Sequence, residues 1–391
     1  MVQLRLVDEE MKRILFFHQG RLSNINGSVY RGLCARFPGA EVRRVDIDKL
    51  LKARPWIIAI NLIVAFWVYG WDMIRRKRDL DESFFGTKYI FQKIAKLARQ
   101  VHRQWPADCS FQSGSMFDFS APDTPHFVYT DHTYQSRKEY PPYGKEVWAA
   151  IRRDWAISLE VSIYENASAI FTRSRNVTET LIHKYNIPSE KVLCVGVGTN
   201  VPLEQLCEIP ITLDRYRVKR VLIIGRDWEL KGGPQLVAAF EHVLKVHKDA
   251  KLTIIGCRPP IKDPSIELVG PVPLDQILGY LAQSSVFCMP SRFEPFGVVF
   301  LEALVAGLPV IALRLGAAPD FIIDGRTGTL VEHGDIKVLA QALIDLLGNP
   351  EKCQEYATYG RSLVQEKYNW DKVFKKIGDR ILQITQDSKK D

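Results

Sequence analysis

The chain has 391 residues, 46% hydrophobic and 25% charged, which is the make-up of an ordinary globular protein long enough for two domains with separate cores. No solenoid-period repeat or low-complexity tract is present, and the seven cysteines (Cys34, Cys109, Cys194, Cys207, Cys257, Cys288 and Cys353) form no CxxC pair, so repeat architectures and a disulfide framework are excluded. The net charge of +8 is confined to residues 43–103, where 14 Lys/Arg face 6 Asp/Glu, which points to a local anionic partner, nucleic acid or anionic lipid.

Met1–Glu10 carries no apolar run of signal-peptide length, so the thiols are expected to be reduced and the protein cytoplasmic. The sequons at Asn26, Asn166 and Asn176 are then chance matches. Lys12–Phe17 is expected as the first strand, followed by the loop His18–Ser28. Trp56–Trp71 is the most apolar stretch. As a helix its 16 residues extend about 24 Å, short of the roughly 30 Å hydrocarbon core. Arg75–Arg78 follows, and then Ile90, Ile94, Leu97, Ala98 and Val101 form an apolar helical stripe with Lys88, Lys96, Arg99 and Arg103 turned away. Two readings stand side by side: helices of a domain core, or a monotopic contact of residues 56–103 with an anionic membrane surface. A partner-protein surface is a third. Nucleic acid is disfavoured, because the aromatics cluster in one apolar run and do not interleave with the cations.

Pro125–Thr130 and Ala169–Thr172 are further strands, and Val201–Val218, with Pro202 and Pro210, reads as an interdomain linker. Val221–Gly225, Lys251–Gly256, Ser285–Met289 and Pro309–Leu313 are apolar on both faces, as buried parallel strands must be. The helical patterns Pro234–Lys248 and Gly297–Ala306 separate them, giving a doubly wound α/β domain with ligand at the carboxyl ends of the strands. Trp370–Gln386 closes the chain as a helix. The expected division is residues 1–205, 206–369, and a tail 370–391 that returns to the first domain.

The chemistry-bearing residues cluster in the second half. Arg226 and Lys231 lie in a loop between a strand and a helix N-terminus, where two cations, free N–H groups and the helix dipole suit a diphosphate. In Pro290–Pro309, Glu294 follows a strand and Glu302 comes eight positions later inside a helix that Gly297 opens. One carboxylate can take sugar hydroxyls and the other a ribose. In the first half, Thr130-Asp131-His132 follows a strand, with Asp131 either orienting the imidazole or capping a turn.

These motifs resemble the signature of the large family-four group of retaining GT-B glycosyltransferases, in which two glutamates flank seven residues. Gly225-Arg226, Lys231-Gly232, Val269-Gly270-Pro271-Val272, Pro290-Ser291, Leu315–Asp320 and Gly325–Gly328 appear in the same order, and the likeness is dense from about Val192 to Gly334. The resemblance implies two Rossmann-like domains facing a cleft and a nucleotide-sugar donor held by the second. It implies that Arg226 and Lys231 neutralise the diphosphate, Glu302 binds ribose, and Glu294 meets the transferred sugar. Phe296, Gly297 and Val298 would offer backbone N–H groups, Gly270 and Val272 would flank the base, and His132 would meet the sugar across the cleft. It implies retention of configuration without a protein nucleophile, on an acceptor that is either lipid-linked or soluble.

The chain departs from the pattern in three places: the first loop lacks adjacent glycines, Pro295 stands where glycine is frequent, and Ala317 replaces one of a glycine pair. Donor-sugar identity is therefore left open. Asp46/Asp48 and Asp79/Asp81 match the metal-binding spacing of the other glycosyltransferase fold, but sit in charged mixed segments, and no metal or other cofactor is expected. A Rossmann oxidoreductase fails for want of GxGxxG. Sugar-nucleotide epimerases would not need the two glutamates, and a non-catalytic scaffold of the same fold would not need all four charged residues.

Overall fold

The computed structural model describes residues 11–20, 25–75, 79–140 and 153–387. Two parallel sheets organise them. β1 (Arg13–His18), β2 (Glu41–Asp46), β3 (Cys109–Ser113), β4 (His126–Thr130), β5 (Ala169–Thr172) and β6 (Val192–Cys194) pair in the order β2-β1-β3-β4-β5-β6. β7 (Arg220–Ile224), β8 (Lys251–Ile255), β9 (Ile266–Gly270), β10 (Val286–Met289), β11 (Val310–Leu313) and β12 (Gly328–Val331) pair as β12-β11-β10-β7-β8-β9. The second order is the doubly wound Rossmann arrangement, in which the direction of strand addition switches between β7 and β10 while all strands stay parallel. The expected GT-B pair of Rossmann-like domains is the fold found.

Around the first sheet lie α1 (Ile25–Arg36), α2 (Ile47–Lys52), α3 (Pro55–Ile74), α4 (Leu80–Phe85), α5 (Lys88–Gln104), α6 (Arg153–Asn166) and α7 (Arg175–Lys184). The expected linker is not irregular: it contains α8 (Leu203–Cys207) and α9 (Leu213–Arg217). Arg215 on α9 is buried and gives its guanidinium to the carbonyls of Ser284, Ala306 and Leu281, at 2.9, 2.7 and 2.5 Å. Those carbonyls lie at the C-terminal ends of two helices, α11 (Ile277–Gln283) and α12 (Val298–Val305), where the helix dipoles favour a cation. The second sheet carries α10 (Gly233–Val246), α11 (Ile277–Gln283), α12 (Val298–Val305), α13 (Ala318–Phe321), α14 (Ile336–Leu347) and α15 (Pro350–Lys367).

The chain then crosses back. α16 (Trp370–Asp387) packs on α1, where Gly32 leaves room for the Phe374 ring and Arg36 pairs with Asp379 at 2.8 Å. Trp370 donates to the Thr199 carbonyl at 2.9 Å, so the returning helix also holds the segment that joins the two sheets.

The apolar stretch gives a longer helix than its composition suggested. α3 runs 20 residues, through Asp72, so length alone does not bar it from spanning a bilayer. Nor is it a core helix. Only a narrow stripe, Ile57, Asn61, Ala65, Tyr69 and Gly70, is buried. The two Asp-x-Asp matches are helix caps: Asp46 accepts from the Asp48 N–H and Asp79 from the Glu82 N–H. Of the basic run, Arg76–Arg78 lies outside the described residues, as do Arg21–Asn24 of the first loop and Met1–Glu10.

Candidate active site in the interdomain cleft

The two donor-side loops leave β7 and β10, neighbours at the switch point of the second sheet. Between them the backbones touch. Gly232 has φ +74°, and a Cβ there would overlap the Pro290 carbonyl, so no other residue fits without displacing one loop. Leu230 O accepts from the Arg292 N–H at 2.9 Å and from the Ser291 hydroxyl at 3.2 Å, which locks the loops together. α10 starts after Gly232 and α12 after Gly297, and neither helix has a side-chain cap. In the first turn of α10 the Gly233 N–H serves the Trp228 carbonyl at 2.9 Å and Pro234 has none, so Gln235 offers its N–H. In α12 the Phe300 N–H serves the Gly297 carbonyl at 2.9 Å, and Val298 and Val299 offer theirs, while both dipoles favour an anion.

The charged residues are arranged around this junction. Lys231 Nζ lies 2.6 Å from Glu294 Oε2, and both side chains are largely buried. Arg226 is exposed and makes no ion pair among the described residues. Gly297, at φ +81°, turns the chain so that a Cβ would sit 3.0 Å from Glu294 Cγ. The Phe296 ring and Val298 are buried, Phe296 against Phe321 and Tyr368, so only their backbone groups can serve a ligand. Gly316, at φ +56°, lets Ala317 N–H reach the Pro295 carbonyl at 3.2 Å, so the segment that departs from the glycine pair still braces the Glu294 loop.

Glu302 is buried on α12, and its Oε1 accepts from the N–H groups of Asn200 and Val201 at 2.9 and 3.3 Å. One carboxylate oxygen is therefore committed to the segment joining the sheets. Burial pushes the Glu302 pKa up to about 7, against the pull of those two N–H donors. Gly270 ends β9 at φ +81°, beside Arg258, which donates to the Val269 carbonyl at 2.9 Å. Val272 follows, half-buried.

His132 lies on the other side of the cleft, after β4, with its ring 6.5 Å from and perpendicular to Phe293. Its Nδ1 pairs with Asp131 Oδ1 at 2.9 Å, so Asp131 orients the imidazole. Asp131 Oδ2 in turn accepts from Arg173 Nη1 at 2.8 Å. Burial raises the Asp131 pKa, but the Arg173 cation and the His132 hydrogen bond overcome it and hold the carboxyl well below its usual range. For His132, whose side chain is 47% exposed, desolvation by the surrounding cleft walls favours the neutral ring, but the Asp131 hydrogen bond and charge outweigh it, so the pKa is raised.

The expected residues are thus divided between four places: Arg226, Lys231, Glu294, Phe296, Gly297 and Val298 at the switch point, Glu302 beneath it, Gly270 and Val272 at the end of β9, and His132 opposite. Several supporting residues went unseen in the sequence. Tyr140 donates to the Glu294 carbonyl at 3.3 Å and stacks edge-on to Phe293, and Arg137 lies 5.1 Å over the same ring. Glu160, buried on α6, accepts from Ser115 Oγ at 3.3 Å, Tyr134 N–H at 3.0 Å, Tyr164 at 2.9 Å and Tyr185, fixing the loop that carries His132. Arg173 follows a strand end, a position worth flagging in any α/β sequence; nothing local distinguishes Glu160.

Residues 218–349 match the family described as Glycosyl transferases group 1. Over 168 residues the chain is 28% identical to the GDP-mannose-dependent alpha-(1-6)-phosphatidylinositol monomannoside mannosyltransferase of Mycolicibacterium smegmatis, covering 38% of this chain and 44% of that relative. The chain thus spans under half the length of that relative. Among solved structures, sucrose-phosphate synthase from Thermosynechococcus elongatus superposes with a TM-score of 0.69 at 18% identity, covering 95% of this chain and 99% of the other. The Anabaena protein HepE, in complex with UDP-glucose, superposes with a TM-score of 0.62 at 14% identity, covering 94% and 99%.

Proposed function

Because residues 218–349 belong to the glycosyl transferases group 1 family, we propose that this chain transfers a hexose-type sugar from a nucleotide-sugar donor to an acceptor bound by the N-terminal domain. The observation that carries the reading is the pair of uncapped helix N-termini, α10 and α12, meeting at one switch point beside Arg226, Lys231 and Glu294. That is a seat for a diphosphate with a carboxylate one step beyond it, where the sugar would lie.

In this reading Arg226 and Lys231 hold the diphosphate. Negative charge grows on the phosphate oxygen as the sugar leaves, so these cations and the first-turn N–H groups stabilise the transition state more than the ground state. Charge neutralisation by side chains and helix dipoles takes the place of a metal ion. Glu294, paired with Lys231 in the free protein, turns to the sugar hydroxyls once phosphate competes for that ammonium. Glu302 has one oxygen on the backbone and presents the other to the ribose, while Gly270 and Val272 flank the base. His132, oriented by Asp131 and with its pKa raised by that carboxylate, closes on the sugar from the opposite domain. The chemistry retains anomeric configuration: no protein nucleophile is assigned, and the departing phosphate oxygen takes the acceptor proton.

An acceptor carried by a lipid is favoured over a soluble one by the exposed apolar face of α3. The seven unpaired thiols favour a reducing, cytoplasmic setting, at the inner face of a membrane.

The test is calorimetric binding of UDP, GDP and ADP without added metal, to wild type and Arg226→Ala. One nucleotide is expected to bind selectively and to weaken about 10-fold or more in the variant, the loss of a charge-assisted hydrogen bond. NMR of the product formed from the matching sugar donor then reads anomeric configuration. A folded wild type that binds none of the three nucleotides overturns the proposal.

A further inference from the structure

α3 is turned inside out for a helix on a water-facing surface. Its polar side chains point inward: Asn61 is fully buried, donates to the Phe84 carbonyl at 2.7 Å and accepts from the Thr87 hydroxyl, and Tyr69 donates to the Gly86 carbonyl. Its apolar side chains point outward. Trp56, Ile63, Phe66, Trp67, Trp71 and Ile74 are between 60% and 89% exposed. Among the described residues, nine of the sixteen exposed large hydrophobics lie on this one helix. Its only charged residue is Asp72, at the half-buried edge. A patch of this size facing water is unstable unless something covers it.

The charges around the patch say what covers it. Arg54 precedes the helix and Arg75 follows it, with the Arg75 guanidinium 4.8 Å over the Trp71 ring. Three more cations, Arg76, Lys77 and Arg78, come next in the sequence. Tryptophans at both ends of an apolar face, with cations beyond them, match the headgroup boundary of an anionic bilayer. A second copy fits worse, since pairing two such faces would bring these cations together. Spanning the bilayer is opposed by packing. Twenty residues reach about 30 Å, but Asn61 and Tyr69 are tied to the α4–α5 corner, and insertion would break those bonds in hydrocarbon.

We propose that α3 lies in the plane of an anionic membrane, with Trp56, Ile63, Phe66, Trp67, Trp71 and Ile74 at the headgroup–acyl boundary and Arg54 and Arg75 on headgroup phosphates. The purpose of this docking, though not its chemistry, rests on the lipid-linked acceptor reading above. α3 follows α2, which starts at the carboxyl end of β2, where Asp48 lies against Gly20 of the first loop. Docking α3 therefore brings the acceptor side of the cleft to the membrane, and a lipid acceptor presents its headgroup there without leaving the bilayer.

The full chain is sedimented with vesicles of phosphatidylcholine alone and of phosphatidylcholine mixed with phosphatidylglycerol. Wild type is expected to pellet with the anionic vesicles, and Ile63→Ser/Phe66→Ser/Trp67→Ser to partition at least about tenfold less. Because all three side chains are exposed, the variant should keep its fold and its nucleotide affinity. Tryptophan emission should be quenched most by lipids brominated near the top of the acyl chain. A folded wild type that stays in the supernatant overturns the proposal, as does strongest quenching at the bilayer centre. So does a dimer that the triple variant abolishes, without vesicle binding. Nucleotide titration of the same preparations separates the two readings: vesicle binding without nucleotide binding refutes glycosyl transfer and leaves the docking face standing, and the reverse refutes only the docking face.

Discussion

Replacing Glu302 by Gln isolates the energetic consequence of burying a carboxyl beneath the donor loops. Gln keeps the oxygen that accepts from Asn200 and Val201 but does not titrate. The native carboxyl has its pKa raised from 4.5 to about 7, so between those values the folded state binds a proton that the unfolded state has released. Stability carried by that proton is fully present below pH 4.5 and is lost as pH rises through 7. A shift of that size corresponds to about 2.5 kcal/mol lost between pH 5 and pH 8, at roughly 1.4 kcal/mol per pKa unit. Urea unfolding of wild type and Glu302→Gln at both pH values should therefore show the difference between them changing by about this amount, with wild type gaining relative to the variant at pH 5. The ligand side of the linkage is equally specific. Ribose hydroxyls donate to the ionised carboxylate, so nucleotide binding at pH 7 should release up to about half a proton, read from calorimetry in buffers of different ionisation enthalpy. Parallel stability profiles for the two proteins, with no proton release, would refute the argument that Glu302 is a high-pKa carboxyl at the nucleotide site.

Two further outcomes follow from the geometry. Arg173→Met removes the buried cation that keeps Asp131 ionised; Asp131 is partly exposed, so the cost should lie at the lower end of about 2–4 kcal/mol in denaturant unfolding. In the same variant the His132 pKa, followed by NMR, should change from its raised value as its carboxylate partner loses charge, and an unchanged His132 titration would count against the Arg173–Asp131–His132 relay. Gly232→Ala places a Cβ on the Pro290 carbonyl at φ +74° and should cost more than about 2 kcal/mol while abolishing nucleotide binding; normal stability would mean the two loops are not locked.

Much of the second domain was legible because its signal is local. A buried parallel strand must be apolar on both faces, so β7, β8, β10 and β11 announce themselves, and Gly232 and Gly297 mark turns that only glycine makes cheaply. β2 was not legible: Glu41, Arg43, Arg44 and Asp46 are charged, because an edge strand buries only one face and here only Val45 goes fully inside. The length of α3 was underestimated for a related reason, since Asp72 looks like a stop until the fold puts it at a half-buried edge.

By itself, then, the sequence determined the two-domain α/β plan and the kinds of groups at the donor loops, since strand burial, glycine turns and charge type are properties of short windows. Tertiary structure decided which groups meet. The Lys231–Glu294 pair spans 63 positions, the Glu302–Asn200 bond 102, and the relay from Arg173 to Asp131 crosses 42. It also decided that α3 turns its asparagine inward and its tryptophans outward, because the α4–α5 corner offers Asn61 the partners that water would otherwise supply. Pairings across such separations depend on strand order and helix docking, which no local pattern encodes.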